Sequence, residues 1–332
     1  MNAKRVGAAV AACVALGLAA QGRSAEIALP KDGWASWQVE AVEDAPAWCC
    51  FNWNDHDATP ETCRLGDDNR GFGTRDHATT DSVRVYARFK AGKLEKLRAL
   101  AAACPVDTKT PVQKLENVAA DDSVRWLTGI AKQKSTQKFD LDDDALAALA
   151  IHRGATAFDA LNGFARADAD AEARKKAIFW MAVLRGAAGA KVTTDLMFGD
   201  ADSEVRKHAA FAVTQSKSAT KTADLTRLGD TDKDGDVRAQ AWFWLAHTGA
   251  EGAERAIANA LRKDADDHVR EQAVFALSQL PDDRATPALI HVAEDQSLSR
   301  EQRKRALFWL GQSKSPTAVA YLDRVLTSAA AR

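Results

Sequence analysis

Four cysteines in the first third of the chain carry the clearest chemical signal. They are Cys49, Cys50, Cys63 and Cys104. An even number of thiols in an oxidising compartment predicts two disulfides. Adjacent strand residues point to opposite faces, so we expect Cys49 and Cys50 to take different partners among Cys63 and Cys104. A zinc site is the alternative, but the spacing lacks the paired C-x-x-C elements typical of zinc ligands.

The N-terminus predicts the oxidising compartment that disulfides need. A basic pair precedes an apolar run from Val6 to Ala20, which is followed by small residues suited to signal-peptidase cleavage. We predict a signal peptide at residues 1–25 and a periplasmic or secreted protein that begins between Gln21 and Glu26. Cys13 resembles a lipobox cysteine, but the apolar run continues past it through Leu18. No later segment has the ~20 apolar residues needed to cross a bilayer, so no membrane insertion is expected after cleavage.

An acidic run from Asp230 to Asp236, D-T-D-K-D-G-D, matches the opening of a calcium loop. Its twelfth position is Ala241, where a bidentate glutamate is required. Equivalent loops elsewhere in the chain are also acidic, as expected for caps near the positive end of a helix. We therefore predict a structural loop and no metal site.

The overall composition is that of an ordinary globular protein. The 332 residues are 46% hydrophobic, enough to bury a core in two domains without a metal or a partner. Lys and Arg total 45 against 46 Asp and Glu. This balance argues against nucleic acid as a partner.

The first third reads as strands. Alternating patterns run from Trp34 to Val42 and from Ser82 to Lys90, and Ala91-Gly92 supplies a turn after the second. We favour a returning strand after this turn, and hence a hairpin. The sequence thus predicts a small β-rich, disulfide-bearing domain over residues 26–120. A linker helix and boundary follow at 121–140, and a helical region occupies 141–332.

The helical region contains a repeat that decides its fold. Five segments such as D-V-R-A-Q-A-W-F-W-L align on one arginine, with steps of 32, 32, 32 and 33 residues. The arginines are Arg174, Arg206, Arg238, Arg270 and Arg303. Alanine stands three residues after each arginine, and an apolar residue such as Leu245 or Leu277 stands seven after it. These positions share one helical stripe, which we predict to be core.

The pattern D-x-[ED]-V-R-x-x-A resembles the short HEAT-like repeats first recognised in phycobilisome lyases. The resemblance covers Leu141 to the end and implies a mainly α fold: an α-solenoid of about six HEAT-like helical repeats preceded by a small β-rich domain. It also implies that the aspartate four residues before each arginine caps the helix and that the arginine pairs within the stack. These aspartates are Asp170, Asp202, Asp234 and Asp266. The last repeat is expected to lack this aspartate and to differ from the others at Leu298.

The N-terminal segments W-C-C-F and C-P-V-D are similar to the region preceding HEAT repeats in some exported bacterial proteins. Repeats of this type serve lyases, adaptors and scaffolds alike, so the fold alone does not fix the function.

The strongest candidate binding feature is a row of aromatic residues five positions after each arginine. This phenylalanine row comprises Phe179, Phe211, Phe243, Phe275 and Phe308. It lies about 160° from the core stripe, on a face that is normally polar, so it predicts a binding surface. Three lysines share this face: Lys175, Lys207 and Lys304. The alternatives are that the N-terminal domain covers the row or that the rings pack between repeats.

Trp180, Trp244 and Trp309 follow the phenylalanines in alternate repeats, with alanine between them. We expect these tryptophans near the core flank, because alternating large and small residues let stacked helices interlock.

An enzyme on this scaffold is the rival class, such as a di-iron hydroxylase or a chromophore lyase. The first needs His-Glu pairs, yet none of the seven histidines is followed by glutamate. They are His56, His77, His152, His208, His247, His268 and His291. A Ser-His-Asp or G-x-S-x-G arrangement is not visible either. We predict a non-catalytic periplasmic scaffold or adaptor that needs no cofactor and binds a protein or peptide partner.

Overall fold

The computed structural model describes residues 27–51, 62–66, 71–73, 78–133, 141–167 and 170–330. Within these ranges the chain forms eight strands followed by thirteen helices. The signal peptide predicted at 1–25, together with Cys13, His56 and His77, lies outside the described residues.

Four strands form the main sheet, in the order β6-β5-β1-β8. They are β1 (Gly33–Glu40), β5 (Ser82–Lys90), β6 (Lys93–Ala101) and β8 (Val112–Lys114). The first three are antiparallel, whereas β8 runs parallel to β1. Ala91 and Gly92 join β5 to β6 with φ values of 49° and 75°. Two left-handed residues suit the right-handed twist of a hairpin, and the predicted hairpin is confirmed.

Two short ladders lie beside the main sheet. The strands β2 (Cys49–Phe51) and β4 (Gly71–Gly73) pair antiparallel, and β3 (Cys63–Arg64) pairs with β7 (Val106–Asp107) in parallel. The cysteines pack with Trp34, Tyr86 and Leu100 from one face of the main sheet. That face is therefore buried by the disulfide-bearing layer.

The other face of the sheet packs against helices. Trp37 and Leu97 on this face belong to one hydrophobic core that continues into the helical stack. Helix α1 (Ala120–Ala131) contributes Trp126, whose ring lies 5.3 Å from that of Trp37, edge to face. The sheet and the helices thus share a single core.

Main-chain hydrogen bonds also join the sheet to helix α2 (Leu141–Ile151). The amide of Val42 donates to the carbonyl of Ile151 at 2.9 Å, and the amide of Arg153 donates to the carbonyl of Glu40 at 2.9 Å. The end of β1 and the end of α2 are therefore held together as a short antiparallel bridge.

A buried polar chain crosses the same junction. The indole N–H of Trp37 donates to Ser123 Oγ at 2.8 Å, and Ser123 Oγ lies 2.8 Å from His152 Nε2. His152 Nδ1 lies 2.5 Å from the carbonyl of Ala148, which can only accept, so Nδ1 carries the proton. The neutral imidazole therefore accepts the Ser123 hydroxyl proton at Nε2. Ser123 and His152 are fully buried, which makes this pair a structural contact between sheet and helices.

Burial lowers the pKa of His152 from 6.5 to about 4; the hydrogen bond to Ala148 opposes the shift, and the charge of Arg185 adds to it. The unfolded chain thus binds a proton near pH 6.5, whereas the folded chain does so only near pH 4. We expect stability to fall by about 3 kcal/mol between pH 6.5 and 4. Urea unfolding at several pH values measures this loss.

The matched control is His152→Gln, which removes this titrating group and should therefore lose clearly less stability over the same pH range; His208, whose pKa is also lowered, titrates in both proteins. The pKa values of Asp232 and Asp264 lie below their ordinary 3.8, so the contributions of these carboxylates are lost only at still lower pH. Equal slopes for the two proteins between pH 6.5 and 4 would contradict the assignment to His152.

The remaining helices alternate between two layers. The first layer continues α2 with α4 (Ala171–Leu184), α6 (Ser203–Gln215), α8 (Gly235–His247), α10 (Asp267–Ser278) and α12 (Arg300–Gln312). The second layer comprises α3 (Ala155–Ala167), α5 (Gly186–Gly199), α7 (Lys221–Thr231), α9 (Ala253–Lys263), α11 (Asp282–Glu294) and α13 (Pro316–Ala330). Successive first-layer helices contact each other along the stack. Six first-layer helices give the predicted solenoid of about six repeats.

Aspartate caps begin four first-layer helices. Asp170, Asp202, Asp234 and Asp266 each accept a hydrogen bond from the amide two residues later. The last repeat, expected to depart with Leu298, is instead capped by Ser299 in a reciprocal capping box with Gln302. Leu298 lies one residue before the cap and is buried. Each cap satisfies amides that the helix itself leaves unpaired.

The predicted core stripe is confirmed. The alanine three residues after each arginine is fully buried in all five repeats. Leu245 and Leu277, seven after their arginines, are also fully buried. Small alanines let the first-layer helices approach closely, and the larger residues fill the space between layers.

Candidate functional site

The phenylalanine row lies on the first-layer helices, opposite the core stripe. Phe179, Phe211, Phe243 and Phe275 are half-buried, and Phe308 is 57% exposed. All five rings are therefore at least partly accessible at one surface of the stack.

Neighbouring rings of the row stack in pairs. Phe179 and Phe211 lie nearly parallel with centroids 6.0 Å apart, and Phe243 and Phe275 repeat this arrangement at 5.7 Å. Stacked aromatic pairs contribute about 0.5–1.5 kcal/mol beyond the area that they bury. The rings thus support one another while part of each remains open to solvent.

Tryptophans in alternate repeats close the gaps between these pairs. The centroid of Trp244 lies 4.9 Å from that of Phe211, and Trp309 lies 5.1 Å from Phe275. We expected the tryptophans near the core flank. They do pack against the core, but they stay half-exposed beside the phenylalanine row. Each of these tryptophans directly follows a phenylalanine, so its side chain is rotated about the helix axis by only ~100° from that phenylalanine. Alanine at the same position in the intervening repeats leaves room for the larger tryptophan ring.

Among the described residues, the ring contact between the N-terminal domain and this surface lies at its first end. The ring of Trp48 lies 5.6 Å from that of Trp180, and the indole N–H of Trp180 donates to Asp143 at 2.9 Å. Ring contacts therefore run from Trp48 to Phe308. We call this set the aromatic strip: the phenylalanine row with Trp48, Trp180, Trp244 and Trp309.

The three lysines predicted on this face form ion pairs within their own helices. Lys175 Nζ lies 2.5 Å from Glu172, Lys207 Nζ lies 2.6 Å from Glu204, and Lys304 Nζ lies 4.0 Å from Glu301. The hydrogen bond to Glu204 raises the pKa of Lys207. Each pair places opposite charges three residues apart, so the edge of the strip carries little net charge.

The repeat arginines pair with aspartates at the end of the following second-layer helix. Arg206 donates to both oxygens of Asp232 at 2.8 and 2.9 Å, and Arg238 binds Asp264 in the same way. Arg174 reaches Asp200 at 3.1 and 3.2 Å. Sequence reasoning missed these partners, which lie 26 residues after their arginines. The sequence did contain a signal for these partners, because each of them is the first aspartate of a D-x-D motif that recurs before the first-layer helices.

This pairing stops where the spacing changes. The residue 26 positions after Arg270 is Gln296, and Arg270 pairs instead with Asp267 in its own helix. The step of 33 residues to the last repeat thus removes one interhelical ion pair.

A family model of HEAT repeats matches residues 158–246 and 230–302. Between residues 158 and 302 the solenoid is built of HEAT repeats. Among curated proteins, none has significant sequence similarity to the chain.

Solved structures similar to this chain include three with 16 to 22% sequence identity. Human deoxyhypusine hydroxylase in complex with glycerol has 16% identity over 62% of this chain and 90% of that chain, with a TM-score of 0.28. The YibA protein of E. coli has 22% identity over 62% and 76%, with a TM-score of 0.37. The CpcE–CpcF complex of phycocyanin lyase from Nostoc sp. has 18% over 62% and 81%, with a TM-score of 0.33. Similarities of this size say nothing about shared activity.

The acidic loop of the HEAT repeats is organised by protein groups. Asp232 binds Arg206 and accepts the amide of Asp234, whereas Asp234 accepts the amides of Asp236 and Val237. Carboxylates that resembled calcium ligands in the sequence therefore serve as ion-pair partner and helix cap.

The histidines within the described ranges have separate surroundings. His208 and His247 contact rings of the phenylalanine row, His268 lies 3.3 Å from Asp236, and His291 lies 3.0 Å from Arg262. Burial lowers the pKa of His208, and the charge of Lys175 adds to this effect.

The cysteines occupy the N-terminal domain, where Cys49 directly follows Trp48 at the first end of the strip. Cys49 bonds to Cys104 and Cys50 bonds to Cys63, a choice that the sequence left open. The two bonds adjoin, with Cys63 Sγ 3.4 Å from Cys104 Sγ. Among the described residues, three of these cysteines are the sole cluster of potential metal ligands, and all three are in disulfides. No helix in the same part of the chain is both long and apolar enough to cross a membrane.

Proposed function

We propose that this protein is an exported, non-catalytic scaffold that binds a protein partner along the aromatic strip. The observation that carries the proposal is the continuity of the strip across the first-layer helices, from Trp48 to Phe308. HEAT repeats commonly bind proteins, and a repeated surface suits an elongated partner.

Energetics support a binding role for these rings. A polar residue at the phenylalanine position would not disturb the buried stripe, yet all five repeats place a large ring there. Partly exposed aromatic rings lose water on contact with a partner, and such residues often dominate the free energy of binding. The strip therefore offers several anchors in a row.

Export is supported by the signal-like N-terminus and by the two disulfides, which persist in oxidising compartments. We accordingly propose a periplasmic or secreted location. An enzyme or chromophore lyase on the same scaffold is the alternative function, and it predicts that substitution of polar residues, not of rings, abolishes activity.

Replacing Phe211 and Phe243 together with serine is expected to abolish partner capture at a modest cost in stability, about 1–3 kcal/mol for two half-buried rings. Crosslinking in a periplasmic extract followed by mass spectrometry compares capture by the variant and the unchanged protein. Thermal unfolding measures the cost.

The matched control is Leu326→Ser, which removes an apolar side chain that is 68% exposed on α13, away from the strip. This variant should capture partners normally. If the double variant loses more than about 3 kcal/mol, the rings are packing residues and the proposed binding role is wrong.

A further inference from the structure

The two disulfides of the N-terminal domain are in contact with each other. Cys63 Sγ of one bond lies 3.4 Å from Cys104 Sγ of the other. The sulfurs of Cys49, Cys63 and Cys104 all lie within 4.8 Å of one another. Disulfides exchange when a thiolate attacks a sulfur of another disulfide. A thiolate released from either bond therefore starts beside a sulfur of the other bond.

Main-chain pairing holds Cys63 and Cys104 together independently of the disulfides. Strand β3 pairs with β7, and the amide of Cys63 donates to the carbonyl of Pro105 at 2.7 Å. Pro105 directly follows Cys104 in the chain. A bond between Cys63 and Cys104 thus joins two segments that already lie side by side, so it requires little rearrangement of the backbone.

Strand β2, in contrast, depends on the disulfides for its position. Among the described strands it pairs only with β4. Cys49 links β2 to Cys104, and Cys50 links it to Cys63. An exchange that joins Cys63 to Cys104 therefore removes both covalent links between β2 and the rest of the domain.

We propose that the two disulfides form an exchange pair, in which the opening of either bond leads to the Cys63–Cys104 disulfide and frees Cys49 and Cys50. An external dithiol first reduces Cys50–Cys63 and is itself oxidised to a disulfide. The Cys63 thiolate then attacks Cys104 Sγ. The Cys63–Cys104 bond forms, the Cys49–Cys104 bond breaks, and Cys49 leaves as a thiolate that takes up a proton.

Opening of the other bond gives the same product. If the dithiol reduces Cys49–Cys104, the Cys104 thiolate attacks Cys63 Sγ and Cys50 leaves as the thiolate. In either case, rotation about its own Cα–Cβ bond lets the freed sulfur approach the remaining disulfide end-on. The exchange itself consumes no oxidant or reductant, because one disulfide is broken for each one formed.

The exchange regulates the first end of the aromatic strip. Trp48 directly precedes β2, and its ring contacts that of Trp180. The carbonyl of Trp48 accepts a hydrogen bond from the amide of Ala101 at 2.8 Å. Release of Cys49 removes the covalent tether beside Trp48 and loosens both contacts. This inference rests on the proposed scaffold function and assigns a thiol-dependent regulation to the same surface.

Disulfide mapping after limited reduction tests the exchange. The exported chain carries Cys13→Ser, so that the four cysteines of the N-terminal domain are its only thiols. It is treated at about pH 8 with about one equivalent of dithiothreitol, free thiols are trapped with N-ethylmaleimide, and the bonds are located by mass spectrometry. We expect the Cys63–Cys104 bond in at least about one in ten of the molecules that keep one disulfide, which corresponds to a free-energy difference of at most ~1.4 kcal/mol from the native bonds.

Cys50→Ser and Cys63→Ser form a matched pair of variants. Both lack the Cys50–Cys63 bond, but only Cys50→Ser keeps the attacking thiol of Cys63. We expect Cys50→Ser to interchange between Cys49–Cys104 and Cys63–Cys104, more slowly at about pH 5 than at about pH 8 because the thiolate is the attacking species. Cys63→Ser should keep Cys49–Cys104. Hydrogen exchange of the Ala101 amide should be at least about threefold faster in Cys50→Ser than in Cys63→Ser, since only the first releases Trp48.

The outcomes separate the exchange from the scaffold function. Absence of the Cys63–Cys104 bond after reduction, or equal interchange in the two variants, would overturn the exchange pair, and equal hydrogen exchange at Ala101 would overturn its link to the strip. If the double phenylalanine variant loses partner capture while only native bonds form, the scaffold function stands and the exchange falls. If the Cys63–Cys104 bond forms while the double phenylalanine variant captures partners normally, the exchange stands and the proposed binding role of the strip is wrong.

Discussion

Replacing Arg206 with alanine is expected to destabilise the solenoid by about 3–5 kcal/mol, because it leaves the buried carboxylate of Asp232 without its partner. The side chains of Arg206 and Asp232 are only 3% and 5% exposed. Burial, the largest single effect, raises the pKa of Asp232, but the hydrogen bonds from Arg206 and from the Asp234 amide, together with the charge of Arg206, outweigh it, so that the pKa is lowered overall. Urea unfolding near pH 7 measures the loss.

Two further variants separate the contribution of the ion pair to stability from other effects of the Arg206 substitution. Arg206→Met with Asp232→Leu removes both charges and should recover much of the lost stability. Lys191→Ala breaks the exposed pair between Lys191 and Asp195 and should cost less than about 1 kcal/mol. If Arg206→Ala costs no more than Lys191→Ala, the buried pair does not stabilise the stack.

Leu245→Ala is expected to destabilise the protein by about 2–5 kcal/mol, because the removed methyl groups leave a cavity that the packed layers only partly close. Leu245 is fully buried on α8, and Leu277 holds the equivalent place on α10. Each repeat contacts its neighbours directly, so the loss should spread along the stack. Thermal or urea unfolding of either variant provides the measurement.

Leu326→Ala is the control for this loss, since Leu326 is 68% exposed on α13. Its substitution should change the free energy of unfolding by less than about 0.5 kcal/mol. Similar values for Leu245→Ala and Leu326→Ala would show that the buried stripe has been assigned to the wrong face of the helix.

Much of the fold was predictable because it depends on local periodicity. The recurrence of arginine, alanine and an apolar residue at fixed offsets placed the buried stripe, and the aspartate before each of the first four arginines placed the helix starts. The hairpin at Ala91-Gly92 was predictable for the same reason, since alternation and turn chemistry act over a few residues. The phenylalanine row followed from the same periodicity.

Contacts between distant residues were not predictable. Trp244 and Trp309 contact the phenylalanine rings of the preceding repeat, which an angle on one helix does not reveal. The network of Trp37, Ser123 and His152 joins residues 86 and 29 positions apart, and no sequence pattern marks it. Such contacts depend on how whole elements pack, which local propensity does not encode.

The sequence by itself determined a helical repeat stack, its buried stripe and its capped helix starts, because each of these arises within one repeat. Only the tertiary structure decided that Cys49 bonds to Cys104, that Arg206 binds Asp232, and that the rings join into one strip beginning at Trp48. The physical reason is that these contacts form between elements. Their energies depend on distances and burial that exist only once the sheet and the helices have packed together.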